Sequence, residues 1–202
     1  MGAATGVFGS FVSDTLLKNV EKKYDLFAVN RFKALKALVQ SLENADEIRK
    51  LEEVNDFWNG VQFRSDRELW GVSDYWATPW EFLARDAGDC EDYVIAKYFT
   101  LKYLGVDPKK MYFTYVRALR FDQPHMVLTY FETPEATPLI LDNINYRIFP
   151  ASQRKDLIPI YNFNGDELES YSDKRVKNMD GKSMKIKKKW DRVVENIKKE
   201  KI

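Results

Sequence analysis

Apolar residues recur at helical spacing through the first third of the chain. The positions that carry this spacing are Leu16, Leu17, Val20, Phe32, Leu35, Leu38, Val39 and Leu42. Such a period predicts amphipathic helices between about Ser13 and Trp58, with apolar stripes that form core rather than a functional surface. Asn44 is the predicted N-cap of the last of these helices, and Gly60 is the residue that ends it.

Two further helices are marked by their caps. The run Thr78-Pro79-Trp80-Glu81 is a capping box with proline at the first helical position. Farther on, Gly88 permits a tight turn and Asp89 caps the next helix. That helix is predicted from Cys90 to about Leu104, because Gly105 follows as a stop signal.

After residue 110 the hydrophobic period changes to two, which is typical of strands. The predicted strands are Met111–Leu119, His125–Phe131, Leu139–Asn143 and Leu157–Phe163. The loops between them are short, and consecutive strands joined by short loops pair antiparallel. Helices followed by such a meander predict an α+β fold, with the N-terminal helices packed on an antiparallel sheet.

The length of 202 residues suits one domain with some chain to spare. No apolar run approaches the roughly 18 residues that a membrane span requires. The first six residues, Met1 to Gly6, lack the basic and apolar regions of a signal peptide. One cysteine excludes a disulfide within the chain, which is compatible with any cellular compartment.

The net charge of +1 conceals an asymmetry between an acidic body and a basic tail. Residues 174–202 carry twelve Lys and Arg against four Asp and Glu, and the rest of the chain has an acidic excess. The sequence therefore predicts one domain over residues 1–173 and a basic C-terminal tail over 174–202. No zinc-finger, P-loop or RNA-binding signature supports a nucleic-acid partner, so a solvated tail is the favoured interpretation.

The tail nevertheless contains an amphipathic pattern. Trp190, Val193, Val194 and Ile197 follow helical spacing and predict a helix over residues 190–200. Its apolar face could dock on the body, on a partner or on nothing.

The chain holds one cysteine, Cys90, and one histidine, His125. These residue types form a common pair of thiol nucleophile and general base. Cys90 lies in Gly88-Asp89-Cys90-Glu91-Asp92 at a predicted helix start, where backbone N–H groups and the helix dipole favour a thiolate. If the two side chains meet, the protein is a cysteine hydrolase or acyltransferase; if they do not, no other obvious pair exists.

Asp142 is the candidate third member of this group. It lies near the end of the strand that follows the one beginning at His125. Two adjacent antiparallel strands can hold a histidine and an aspartate side by side on one face. A helix packed across that face can bring its first residue to the imidazole. The alternative is that Asp142 merely ends an apolar strand.

Three carboxylates surround the thiol in sequence: Asp89, Glu91 and Asp92. As helix N-terminal charges they gain from the dipole, but they also disfavour a thiolate by like-charge repulsion. A hard cation such as Ca²⁺, which takes oxygen ligands, would cancel that repulsion. Zinc is disfavoured, because the proposed catalytic pair are the only soft or imidazole ligands in the sequence.

Together these segments resemble the bacterial transglutaminase-like cysteine proteinases. The resemblance is carried by Trp76-Ala77-Thr78-Pro79-Trp80-Glu81, by Gly88-Asp89-Cys90-Glu91-Asp92 with Lys97 beyond it, and by His125 and Leu141-Asp142-Asn143. The Gly-Asp-Cys-Glu-Asp run is its specific part. It covers roughly Lys22 to Tyr171, so the basic tail lies outside it.

The resemblance implies a papain/transglutaminase-like core with the nucleophile at the start of a central helix. It implies Cys90 as nucleophile, His125 as general base and then acid, and Asp142 as the group that orients the imidazole. It also implies calcium at the acidic run. Asp89 and Glu91 match the family's calcium-linked carboxylates best, and Asp92 matches next.

The same resemblance implies a substrate, a regulator and a location. The most similar branch of the family cuts the N-terminal region of a large surface adhesin in the periplasm and thereby controls biofilm attachment. Its regulator is the periplasmic domain of an inner-membrane cyclic-di-GMP receptor. Because no signal peptide is present, the sequence is interpreted as a mature periplasmic chain without membrane insertion.

Two alternatives remain open at the level of sequence. One is a protein transglutaminase or other acyltransferase, in which a lysine amine replaces water in the last step, because the same triad serves both reactions. The other is a non-catalytic calcium-binding adaptor with a degenerate triad, although all three residue types are present.

Overall fold

The computed structural model describes residues 10–170 and 180–202. Its N-terminal layer consists of α1 (Asp14–Lys23), α2 (Leu26–Leu42) and α3 (Glu47–Asn59). Helix α3 is capped by Asp46, whose carboxylate accepts the N–H of Arg49 at 2.9 Å. The prediction of Asn44 as this cap was therefore wrong, because the chain is still in a turn at that residue.

Three helices follow: α4 (Asp66–Trp70), α5 (Pro79–Arg85) and α6 (Cys90–Tyr103). The predicted capping box of α5 is present, since Thr78 Oγ1 accepts the N–H of Glu81 and the Glu81 carboxylate accepts the N–H of Thr78, both at 3.0 Å. Helix α6 is buried around most of its circumference, as a central helix must be. The thiol thus lies at the first residue of the central helix.

A short parallel pair of strands precedes α6. Strand β1 (Gln62–Phe63) pairs with β2 (Ala87–Gly88). A Cβ added to Gly88 would lie 2.5 Å from Asp92 Oδ2 and 2.6 Å from Phe82 Cδ2. Glycine is required at this position because neighbouring side chains approach the backbone closely, and not for the tight turn that the sequence predicted.

The main sheet has five antiparallel strands in the order β6-β5-β4-β3-β7. They are β3 (Met111–Ala118), β4 (Gln123–Tyr130), β5 (Leu139–Leu141), β6 (Phe149–Pro150) and β7 (Leu157–Phe163). Short 3-10 turns at Pro108–Lys110 and Ala151–Gln153 lead into β3 and away from β6. The meander runs from β3 to β6, and β7 then returns to pair with β3, so a simple meander is not the full topology.

The chain continues through α7 (Gly165–Ser170) and resumes in α8 (Gly181–Lys198). The helix predicted around Trp190 is confirmed, and it begins well before that residue. Its indole stacks on Phe99 and meets the rings of Tyr98 and Phe113 edge-on, with centroids 5.1–5.5 Å apart. A solvated tail is therefore the wrong description of α8; the predicted domain boundary at residue 173 lies outside the described residues.

Helix α8 also contacts the segment that leads into α5. Lys189 forms an ion pair with Asp74, and Arg192 donates to the backbone oxygen of Trp76 at 3.4 Å. In the described ranges, no helix has the length and apolar character that crossing a membrane would need.

Candidate active site

Cys90 is the first residue of α6 and is half-buried. Its thiol donates to Glu91 Oε2 at 3.1 Å, and its sulfur accepts the backbone N–H of Met126. Met126 follows His125 directly on β4, so the thiol lies against the strand that carries the chain's one histidine. Burial, and then the negative charges of Glu91 and Asp89, raise the pKa of the Cys90 thiol well above its ordinary value.

His125 and Asp142 are brought together by the pairing of β4 with β5. His125 Nε2 lies 2.8 Å from Asp142 Oδ1, and both side chains are almost fully excluded from solvent. The sequence placed these two residues on adjacent strands, and the structure confirms that they are in contact.

Asp142 is held by two further donors. Arg154 donates to its Oδ2 at 2.7 Å, and the N–H of Ile144 donates to its Oδ1 at 3.0 Å. Burial alone would raise the pKa of Asp142, but His125, the Ile144 N–H and Arg154 together lower it below its ordinary range. An ionised carboxylate only accepts hydrogen bonds, so Nε2 of His125 must carry the hydrogen.

A cluster of carboxylates lies beside the thiol. Within the described ranges, Asp66, Asp89 and Glu91 each present an oxygen within 4.8 Å of the others. Asp89 and Glu91 were predicted from sequence; Asp66 was not, because it lies on α4, outside the acidic run.

Asp92 has a different set of contacts. Its Oδ1 accepts the N–H of Ala77 at 2.8 Å, and its Oδ2 accepts the N–H of Asp89 at 3.2 Å. The side chain is buried and ties the start of α6 to the segment before α5. Both oxygens of Asp92 are thus engaged by backbone donors, and the structure does not place this predicted calcium ligand in the carboxylate cluster.

The three clustered carboxylates fit a hard cation. Asp66 Oδ1 and Asp89 Oδ1 are buried and accept no hydrogen bond within the described part of the chain. Burial raises the pKa of Asp66 to about 6, and burial with the charges of Glu91 and Asp92 raises that of Asp89 to about 10. A divalent ion would supply positive charge that favours the ionised form of these carboxylates. Carboxylate oxygen is also the ligand that Ca²⁺ prefers.

Comparison with known proteins identifies the family of this chain. The model of the bacterial transglutaminase-like cysteine proteinases matches residues 32–156. The chain belongs to that family. It is accordingly a cysteine protease, and the interpretation as a non-catalytic adaptor loses its support.

Solved structures of Legionella pneumophila LapG are similar to this family member over most of its length. One is 36% identical with a TM-score of 0.73, covering 93% of this chain and 97% of that one. An EGTA-treated LapG gives 36% identity, the same coverage and a TM-score of 0.74. A calcium-bound LapG is 40% identical over 77% of this chain and 84% of that one, with a TM-score of 0.68. No curated protein sequence matched significantly.

The sequence reasoning missed Asp66 and Arg154. Asp66 follows Ser65 at the start of α4, where an acidic residue is ordinary helix N-terminal charge. Arg154 lies between the short strand β6 and β7 and binds Asp142 and Asp156. Neither residue stands in a recognisable motif, so only their placement in the fold reveals them.

Proposed function

We propose that the protein is a calcium-dependent cysteine endopeptidase with Cys90, His125 and Asp142 as its catalytic residues. The observation that carries this proposal is the contact between the His125 imidazole and the buried Asp142 carboxylate, with the thiol bound to the next residue on the same strand. Since the chain has one cysteine, a cysteine protease built from it uses Cys90 as nucleophile.

The hydrogen bond between His125 Nε2 and Asp142 Oδ1 determines which ring nitrogen can act as the base. Because Nε2 is held by Asp142, Nδ1 is the nitrogen that takes the proton of the Cys90 thiol. The sulfur attacks the peptide carbonyl carbon, and the N–H of Cys90, which has no intrahelical partner at the helix start, stabilises the oxyanion. Collapse breaks the C–N bond as Nδ1 returns its proton to the leaving amine, and water then hydrolyses the thioester with His125 again acting as base.

Asp66, Asp89 and Glu91 would hold the calcium ion. When bound, calcium supplies positive charge that offsets the carboxylates beside the thiol. Glu91 is the important member for chemistry, because it contacts the thiol directly and its charge raises the thiol pKa. The existence of calcium-bound and EGTA-treated LapG structures supports calcium as the ion.

Removal of calcium should lower the melting temperature and the activity together. At a calcium concentration about 100 times Kd, a ligand bound only by the folded state adds about 2.7 kcal/mol to the free energy of unfolding. For a chain of this size that corresponds to roughly 5–10 °C in Tm, measurable by calorimetry with and without EGTA. Asp66→Asn should abolish the calcium-induced shift.

The matched control is Asp74→Asn, which removes a neighbouring carboxylate that pairs with Lys189 and lies outside the cluster. It should retain the calcium-induced rise in Tm. If Asp66→Asn shows the same rise as the unmodified protein, Asp66 is not a ligand.

We further propose that the substrate is the N-terminal region of a large surface adhesin, cut in the periplasm, and that the periplasmic domain of a cyclic-di-GMP receptor regulates the enzyme. This proposal is supported by the similarity to LapG over nearly the whole of both chains. Biofilm attachment would then depend on the balance between the enzyme and its regulator.

Digestion of a recombinant adhesin N-terminal fragment tests this substrate assignment. With calcium, the fragment should be cut at one place, mapped by mass spectrometry; with EGTA it should stay intact. A labelled amine included in the reaction separates hydrolysis from acyl transfer. Incorporation of that amine without cleavage would favour a transglutaminase, and an intact, unlabelled fragment would count against the adhesin.

A further inference from the structure

A buried lysine lies behind the catalytic residues. Lys97 is on α6, about two helical turns after Cys90, so it shares a face with the thiol. It is 1% exposed, and its ammonium group lies 5.9 Å from the centroid of the Tyr93 ring. Lysine is almost never this deeply buried without a specific partner.

That partner is Asn59, the last residue of α3. Lys97 Nζ donates to Asn59 Oδ1 at 2.8 Å, and Asn59 Nδ2 donates to the backbone oxygen of Asp142 at 2.9 Å. Both contacts are buried. Because a backbone carbonyl can only accept, the Asn59 amide must point its N–H₂ at Asp142 and its oxygen at Lys97.

We propose that Lys97 and Asn59 are positioning residues, which link the helix that carries Cys90 to the strand end that carries Asp142. This inference rests on the proposed function, in which those two residues are catalytic. The path runs from Cys90 along α6 to Lys97, through Asn59 to the Asp142 backbone, and through the Asp142 carboxylate to His125. This path is separate from the hydrogen bond that the Met126 N–H donates to the Cys90 sulfur, which joins α6 to β4 directly.

Burying this lysine carries a desolvation cost that its contact with Asn59 has to offset. Burial lowers the pKa of Lys97 to about 7, against the negative charges of Asp142 and Asp56, which act to raise it. A methionine would fill similar volume without desolvating an amine. The link does not depend on the charge state, because an ammonium and a neutral amine both have N–H groups to donate to Asn59.

Loss of the link should act on the chemical step more than on substrate binding. Without Asn59 Nδ2 the Asp142 carbonyl loses its buried donor, and the strand end that sets the imidazole is freed to shift. A misplacement of about 1 Å within a catalytic group can cost on the order of 100-fold in rate. Neither Lys97 nor Asn59 is placed to touch substrate, so KM should change little.

Two variants test this link between α6 and Asp142. Lys97→Met removes the donor to Asn59, and Asn59→Asp keeps an acceptor for Lys97 while replacing the donor to Asp142 with an oxygen. Both should lower kcat by about 10- to 100-fold with KM within about twofold. The matched control is Thr100→Val on the same α3–α6 interface, where Thr100 Oγ1 accepts the Trp58 indole N–H and donates to the Ala96 backbone oxygen. It should be less stable and should keep its kcat.

A second readout needs no substrate. The chain has one histidine, so the Nε2–H proton that bonds Asp142 gives a single NMR resonance. Lys97→Met and Asn59→Asp should shift this resonance upfield or broaden it, and Thr100→Val should leave it in place. An unmodified protein that does not cut the adhesin fragment would count against that substrate alone. The His125 resonance would still test the link between Lys97, Asn59 and Asp142.

Folded variants with unchanged kcat and an unchanged His125 resonance would overturn the proposal. If Lys97→Met does not fold, Asn59→Asp decides the question, because it offers Lys97 a carboxylate partner and retains the volume of the side chain. An effect of Thr100→Val equal to that of Lys97→Met would also overturn it, since it would show a general response to loss of stability.

Discussion

Cys90→Ala should reduce kcat/KM for peptide cleavage by ~10⁴ or more, the scale seen when a nucleophile is removed from a catalytic triad. That factor corresponds to about 5.5 kcal/mol of transition-state stabilisation. The loss is expected to be this large because no other thiol in the chain can substitute for Cys90. Initial rates on a cleavable peptide, with calcium present, measure it.

The same variant should remain folded and should still bind calcium. Alanine removes the sulfur that contacts Glu91 and the Met126 N–H but leaves the carboxylate cluster complete. Calcium-dependent melting of the variant is therefore the control. Cleavage by Cys90→Ala at a rate near that of the unmodified protein would refute the assignment of the nucleophile.

Asp142→Asn should also cost about 10⁴ in kcat, because it changes the tautomer of His125. Arg154 can only donate, so the amide oxygen of the new side chain must face Arg154 and its N–H₂ must face His125 Nε2. The imidazole would then carry its hydrogen on Nδ1, which can no longer take the proton of the thiol. The N–H of Ile144 also loses its acceptor, so stability should fall by about 1–3 kcal/mol.

Asp156→Asn provides the matched comparison. Asp156 binds the same guanidinium as Asp142, at 2.8–2.9 Å, but from a half-exposed position that does not contact His125. We expect its kcat to stay near that of the unmodified protein. ¹⁵N chemical shifts of the single histidine report the tautomer directly in both variants, and an unchanged tautomer in Asp142→Asn would contradict the tautomer explanation.

Local signals in the sequence predicted the elements that position the thiol. The capping box at Thr78 and the helix that begins at Cys90 are both determined by residues within a few positions of one another. The pairing of β7 with β3 could not be predicted in this way, because it joins strands separated by three others in sequence. The N-cap of α3 was misplaced because Asn44 and Asp46 are both good capping residues, and only hydrogen-bond geometry separates them.

The residues of the candidate site also differ in whether the sequence alone could identify them. Cys90 and His125 were found because each is unique in the chain, and Asp142 because it closes an apolar strand. Asp66 and Asn59 are common polar residues at helix ends, and their role depends on which neighbours the tertiary fold brings to them. Their contacts therefore had to come from the structure.

The location of Trp190 also affects the order in which the molecule folds. Its partners Tyr98, Phe99 and Phe113 lie in α6 and β3, so the aromatic centre is completed by contacts between segments far apart in sequence. Such contacts form only after a long stretch of chain has lost its freedom, which slows folding. We therefore expect the contacts of the last helix with α6 and β3 to be among the slow ones to form.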